Sequence, residues 1–109
     1  MSKPMSKGDA ARRFAALGDP HRLALVESLA DGSERSISQL GAGAPISRQA
    51  LTKHLRILEQ AGLVRATRYG REVRFRIERA AIEEAGQFLA LVTRQWDDAL
   101  ARLKERVER

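Results

Sequence analysis

The side chains in this sequence best suited to binding another molecule are its arginines and lysines, which donate several hydrogen bonds each and attract anions. Of the 20 lysines and arginines in 109 residues, nine lie between residues 46 and 79, beside only three acidic residues. The formal net charge is +6, so this segment carries the entire excess. That concentration indicates a surface that faces a polyanion. The basic residues concerned are Arg48, Lys53, Arg56, Arg65, Arg68, Arg71, Arg74, Arg76 and Arg79.

Two neighbouring side chains, Arg48 and Gln49, are suited to reading base edges in the major groove of duplex DNA. A guanidinium pairs with guanine and a carboxamide with adenine, each with about 1–3 kcal/mol of discrimination. The other basic and hydroxyl side chains are better suited to phosphates, or in part to the minor groove, and so to affinity. The predicted DNA-contacting set is Ser47, Arg48, Gln49, Thr52, Lys53, His54, Arg56, Arg68, Tyr69, Arg71 and Arg74.

Metal and catalytic chemistry have little support in the sequence. There is no cysteine, which excludes thiolate metal sites and thiol redox sensing. The two histidines, His21 and His54, have no obvious third ligand, so we predict no metal site and no cofactor, and expect His54 to pack or to contact a phosphate. The acidic pairs at 83–84 and 97–98 diverge on a helix, and no nucleophile motif or phosphate-binding glycine loop is present, so we predict no enzyme activity.

The basic segment must be positioned by the elements around it, and the first of these are two helices. A helix is predicted from Asp9 to Leu17, after a flexible tail over residues 1–8, and Gly18 ends it. Asp19 then caps a second helix with Pro20 at its first position. Its apolar stripe is predicted to comprise Leu23, Val26 and Ala30, with Leu25 and Leu29 beside them.

Two further helices are predicted on either side of a glycine-rich turn at residues 41–45. Ser36 caps a short third helix, and Ser47 caps a fourth over residues 47–61 that Gly62 ends. Leu51, Leu55 and Leu58 follow the spacing of one buried face. The opposite face is therefore left for the hydrogen-bonding side chains of the predicted DNA-contacting set.

Beyond the fourth helix, the apolar period changes from helical to alternating, which predicts a two-stranded hairpin over residues 63–78. The turn falls at residues 69–72, where Gly70 can adopt a positive φ.

The last predicted helix, over residues 80–108, carries apolar side chains at alternating gaps of three and four. This stripe is broader than one small domain needs, so we predict that a second copy covers it. Trp96 could instead line a ligand pocket, although at this spacing interface core is favoured. The predicted dimer interface is Phe14, Leu17, Ile82, Ala85, Leu89, Val92, Trp96, Ala99 and Leu103.

Together these elements predict one mainly α-helical domain over residues 9–109, with a small β-hairpin, in a winged helix-turn-helix layout. A soluble, cytoplasmic protein is expected, because no signal-peptide pattern or membrane-spanning apolar run is evident. The alternative function is a basic module that docks on another protein or on a membrane surface. DNA binding is favoured because the basic residues cluster on a capped helix and a hairpin.

Three motifs carry a family resemblance: FAALGDPHR at 14–22, SRQALTKHLRILEQAGLV at 47–64 and TRYGREVRFRI at 67–77. In this order they resemble the ArsR-type bacterial transcriptional regulators, over nearly the whole chain. The resemblance implies a homodimer joined through the first and last helices, which binds an inverted-repeat operator as a repressor until an inducer releases it.

The metal sites of the family's metal-sensing members have no counterpart in this sequence. Those members use cysteines in the third helix or paired histidine and acidic ligands in the last helix. Here residues 36–40 contain no cysteine and residues 82–108 contain no histidine. The resemblance therefore implies no metal inducer, and the sequence indicates no other.

Overall fold

A computed structural model describes residues 6–108 of the chain. Five helices and three short strands follow one another along these residues. Their bounds are α1 Lys7–Leu17, α2 Pro20–Ser28, β1 Arg35–Ser36, α3 Ile37–Gly41, α4 Arg48–Gln60, β2 Val64–Tyr69, β3 Glu72–Ile77 and α5 Arg79–Glu108. The predicted fold class is confirmed, with the helices forming one body and the hairpin β2–β3 projecting as a wing.

The helix starts follow the predicted capping residues, with one difference at the amino terminus. The side chains of Asp19, Ser36 and Ser47 each accept hydrogen bonds from backbone N–H groups of the following turn. Helix α1 begins at Lys7 rather than at Asp9, because Ser6 caps it by accepting from the Asp9 N–H. Residues 1–5 of the predicted tail lie outside the described residues.

The core is built where α1, α2 and α4 pack over the base of the wing. Its largest fully buried side chains are Leu29, Leu55, Leu58 and Leu63, and Phe75 of β3 closes it from the sheet side. Leu51, Leu55 and Leu58, the buried face predicted for α4, all belong to this core. They hold α4 firmly against the body, which leaves its opposite face to solvent.

The predicted apolar stripe of α2 is wrong in its rotation. Leu23 is 53% exposed and Ala30 is also exposed, whereas Leu25 and Leu29 are buried. Both stripes have helical spacing, so the spacing alone could not separate them. The helix also ends at Ser28, which places Leu29 in the C-cap and Ala30 outside the helix.

The sheet has three strands rather than two, in the order β1-β3-β2, and all neighbours are antiparallel. In the hairpin, Val64 pairs with Ile77 and Ala66 with Phe75, so the apolar side chains share the face that meets the core. The added strand, Arg35–Ser36, was not predicted, because two residues show no periodicity. It anchors the start of α3 to the wing.

Helix α5 packs on the body through its first three turns. Ala81 and Ala85 are buried and Ile82 packs against the core, so the first members of the predicted interface stripe belong to the protomer itself. Beyond these turns the helix projects freely, and the molecule measures 68 × 35 × 24 Å. Within residues 6–108, no helix combines the length and the apolar character needed to cross a membrane.

Candidate nucleic-acid interface

Helix α4 is positioned for recognition by its buried leucines and by close packing against α3. Gly41 ends α3 where an added Cβ would lie 3.1 Å from a Leu51 methyl group, so the glycine permits this close approach. Leu51, Leu55 and Leu58 point inward, and Ser47 caps the helix through the Ala50 N–H at 3.1 Å. The two helices form a helix-turn-helix whose second member presents its polar face outward.

The outward face of α4 forms a shallow groove of about 430 Å³, which we call the α4 groove. The structure thus brings together five side chains of the predicted DNA-contacting set. Thr52 donates its hydroxyl proton to the Arg48 carbonyl oxygen at 2.8 Å, which anchors its side chain to the helix. Its oxygen keeps acceptor capacity toward a ligand. The lining residues are Arg48, Gln49, Thr52, Lys53 and Arg56.

A second groove joins the start of α4 to the tip of the wing. It has a volume of about 340 Å³ and is lined by Arg48, Arg71, Glu72, Val73 and the first residues of α3. Arg48 therefore borders both grooves, and Arg71 is a wing arginine that shares the second groove with it. This groove places basic side chains of the helix and of the wing tip along one surface, with Glu72 beside them.

The other predicted wing residues make contacts within the wing or with the loop before β1. Arg74 donates from Nε to a Glu72 carboxylate oxygen at 2.5 Å and lies 4.5 Å from the centre of the Tyr69 ring. Tyr69 donates its hydroxyl proton to Glu34 at 3.2 Å, and Arg68 donates to the Gly70 carbonyl oxygen at 2.9 Å.

These contacts also shift two ionisation equilibria. The hydrogen bond to Glu72 raises the pKa of Arg74, and the hydrogen bond to Glu34 raises the pKa of Tyr69, because each bond favours the protonated form. The hydrogen bonds, together with the contact between Arg74 and the Tyr69 ring, hold both side chains against the wing and the loop before β1.

Sequence reasoning missed a cross-strand pair of arginines on the solvent face of the wing. Arg65 and Arg76 lie directly opposite each other in the β2–β3 register, and both are exposed. Like charges in this position repel, although Arg65 is partly compensated by Glu78 at 3.1 Å. The alternating pattern of each strand places these arginines on the solvent face, but only the register of the two strands shows that they lie opposite each other.

His54 does not join the α4 groove. Its side chain is 17% exposed and stacks on His21, with ring centroids 5.3 Å apart. Arg22 Nη1 lies 3.2 Å from His54 Nδ1, so this histidine packs against the start of α2. Of the two roles expected for His54, the structure supports packing.

The prediction that the two histidines have no third ligand is wrong, since Asp19 lies close to both of them. Asp19 Oδ1 is 3.6 Å from His21 Nδ1 and 3.9 Å from His54 Nδ1. Partial burial acts to raise the pKa of Asp19. Hydrogen bonds from the Arg22 and His21 backbone N–H groups and the nearby charges outweigh this effect, so the pKa lies below its ordinary value.

The outer part of α5 forms an exposed apolar face, which we call the α5 stripe. Phe14 of α1 approaches Phe88 of α5 with ring centroids 5.7 Å apart, so α1 borders this face. An ion pair between Arg13 and Glu84, at 2.5 Å, joins the same two helices one turn nearer the start of α5. The exposed members are Phe88, Leu89, Leu91, Val92, Trp96, Leu100, Leu103 and Val107, and Trp96 is 63% exposed.

Comparisons with known proteins agree with this arrangement. Residues 17–66, which span α2 to the start of the wing, match a family model described as a helix-turn-helix domain. A protein of Synechocystis named transcriptional repressor SmtB homolog is 41% identical over 63 residues, which are 58% of this chain. The matched part is 47% of that protein, so the chain corresponds to about half of this relative.

Solved structures resemble the chain over most of its length. An ArsR-like transcriptional regulator from Rhodococcus is 36% identical with a TM-score of 0.78, over 90% of this chain and 92% of the other. The homodimeric winged helix-turn-helix DNA-binding domain of Mb0332 from Mycobacterium bovis is 28% identical with a TM-score of 0.62, over 87% and 84% respectively. The chain therefore belongs to the ArsR-type family of winged helix-turn-helix transcriptional regulators.

Proposed function

We propose that this regulator binds an inverted-repeat operator as a homodimer and represses transcription from the site it occupies. The observation that carries the proposal is the α4 groove, where five polar and basic side chains line the outward face of a helix-turn-helix. A helix in the major groove reads bases with the side chains near its amino-terminal end. Arg48 and Gln49 occupy that end of α4.

Within this proposal the contacts divide between reading and positioning. Arg48 and Gln49 contact base edges, while Thr52, Lys53 and Arg56 contact the sugar-phosphate backbone. Arg71 at the wing tip contacts a flanking phosphate, since it shares a groove with Arg48. Each neutralised phosphate adds to the salt dependence of binding.

The dimer is proposed to form through the α5 stripe, with α1 at its border. Large apolar side chains that are about half exposed, such as Leu89 at 53% and Val92 at 46%, are stabilised when a second copy covers them. A two-fold dimer places two copies of α4 on one side of the duplex, so the operator should have matching half-sites about one helical turn apart.

Repression is proposed by analogy with the Synechocystis protein that is named a transcriptional repressor. A dimer whose two α4 helices occupy one face of the duplex, with wings along the flanking backbone, obstructs other proteins at that site. The regulated genes would then be those whose promoters contain the operator.

The test is selection of bound duplexes from a pool with a randomised central segment, using the full chain. The expected result is an enriched inverted repeat whose half-site centres are about 10 base pairs apart. As a control, Arg94→Ala removes one positive charge from α5, outside the α4 groove, and should select the same sequence. If the chain enriches no sequence, or enriches unpaired half-sites only, the proposal of a dimer on an inverted repeat is refuted.

A further inference from the structure

We infer that Asp19, His21 and His54 form a binding site for one zinc ion per protomer, at the junction of α2 and α4. Their side chains offer two imidazole groups and one carboxylate, and the three ligand atoms all lie within 4.8 Å of one another. The inference goes beyond the proposed function and does not depend on it, and it replaces the expectation from sequence that the histidines bind no metal.

The distances suit a tetrahedral ion. Zinc binds histidine nitrogen and carboxylate oxygen at about 2.0–2.2 Å, so two ligand atoms on one tetrahedral ion are separated by about 3.4 Å. Asp19 Oδ1 lies 3.6 Å from His21 Nδ1 and 3.9 Å from His54 Nδ1. Small side-chain rotations would therefore bring the three atoms onto one ion, leaving the fourth position for water.

The carboxylate is already oriented by the fold. Asp19 Oδ1 accepts hydrogen bonds from the His21 N–H at 2.8 Å and the Arg22 N–H at 3.2 Å, as the cap of α2. Such outer contacts hold a ligand in place and usually strengthen metal sites. The two imidazole rings are stacked, with centroids 5.3 Å apart and planes inclined by 22°, so one ring must turn before both nitrogens face the same ion.

One neighbour competes with the metal for His54. Arg22 Nη1 lies 3.2 Å from His54 Nδ1, so its guanidinium group must move before that nitrogen binds an ion. Arg22 keeps an anchor elsewhere, because its Nε donates to the Ala16 carbonyl oxygen at 2.6 Å. Because Nε and Nη1 belong to one rigid planar group, the guanidinium must pivot about the Nε–O hydrogen bond for Nη1 to leave His54 while this joint between α1 and α2 is kept.

A bound ion would tie α4 to the start of α2. His54 projects from α4 on the side away from the α4 groove, whereas Asp19 and His21 belong to the cap and first turn of α2. Zinc would thus restrict rotation of α4 relative to the body and raise the melting temperature, because only the folded chain assembles the three ligands.

The test is calorimetric titration of the metal-free full chain with zinc, alongside titration with cobalt(II) followed by its visible absorption, which reports tetrahedral coordination. We expect one ion per protomer, and a loss of affinity of at least about tenfold in His21→Gln, His54→Gln and Asp19→Asn. Asparagine remains a good helix cap, so Asp19→Asn should keep α2 intact, as circular dichroism can check.

The matched control is Asp31→Asn. Like Asp19, Asp31 accepts a hydrogen bond from the backbone N–H of the residue two positions later, which here is Ser33. It should bind zinc as tightly as the unchanged chain. Absence of stoichiometric binding by the unchanged chain, or equal binding in a folded His21→Gln/His54→Gln double variant, would overturn the inference.

Discussion

Arg48 borders both the α4 groove and the groove that leads to the wing, so its guanidinium group has base edges and phosphates within its proposed reach. Gln49 beside it borders only the α4 groove. Removing Arg48 and removing Gln49 should therefore affect DNA binding differently, because Arg48 contributes charge and Gln49 contributes only directed hydrogen bonds.

We predict that Gln49→Ala relaxes the preference for one base pair of the half-site by about 1–3 kcal/mol and leaves the salt dependence of binding unchanged. Arg48→Ala should relax the preference and also weaken binding to unrelated duplexes. Fluorescence anisotropy titrations on the selected operator and a shuffled duplex measure both effects. Equal losses on both duplexes for Gln49→Ala would contradict its role in base reading.

We predict that Arg71→Ala weakens binding to all duplexes alike and reduces the slope of log K against log salt by about one. Arg74→Ala is the matched control from the same wing, because Arg74 is held by Glu72 and Tyr69 and should contribute less to the slope. Titrations at four salt concentrations give the slopes. A larger change for Arg74→Ala than for Arg71→Ala would reverse this assignment.

Among the elements, α4 and the wing are joined by a single short connection that depends on Gly62. Its φ is +76°, a conformation that follows the C-cap Ala61 and turns the chain from α4 into β2. This joint sets the angle between the recognition helix and the wing. A change there should affect stability and the DNA-binding surface together.

We predict that Gly62→Ala destabilises the fold by about 1 kcal/mol, since alanine is strained at positive φ. Gly86→Ala is the control, because Gly86 lies within α5 and an added Cβ there meets no atom within 4 Å. It should stabilise the fold by about 0.5–1 kcal/mol through helix propensity. Urea unfolding curves compare the two, and a Gly62→Ala variant as stable as the unchanged chain would show that the joint tolerates another geometry.

Sequence reasoning predicted the elements whose signals are local. The caps Asp19, Ser36 and Ser47 and the leucine face of α4 each follow from a few neighbouring residues. The two-residue strand β1 and the rotation of α2 depend on contacts between distant segments, which periodicity does not report. Residue types alone likewise predicted the side chains of the α4 groove. They did not predict that Asp19 lies close to both histidines, because this depends on how α2 packs against α4.

At the scale of the whole molecule, α5 projects beyond the body with an apolar face that one copy leaves uncovered. The sequence predicted this stripe from its heptad spacing. It did not show that Ile82 and Ala85 would be used within the protomer, so in the proposed dimer the outer residues from Phe88 onward would face the second copy. The position of that copy would determine the spacing of the two α4 helices.

We predict that Leu89→Glu and Val92→Glu convert the dimer to a monomer, because each would bury an unpaired charge in the interface. Arg94→Glu places a new carboxylate on the same helix but outside the stripe, and should leave the dimer intact. Light scattering at a range of concentrations distinguishes the states. Dimers that persist in both stripe variants would show that the interface lies elsewhere.

We propose above that this chain recognises a DNA sequence through the outward face of α4. The most direct measurement is the ratio of its dissociation constants for a shuffled duplex and for the selected operator, at one physiological salt concentration. We expect a ratio of about 10³ or more, and a ratio close to one for a folded, dimeric Arg48→Ala/Gln49→Ala variant. Equal affinity of the unchanged chain for both duplexes would contradict the claim.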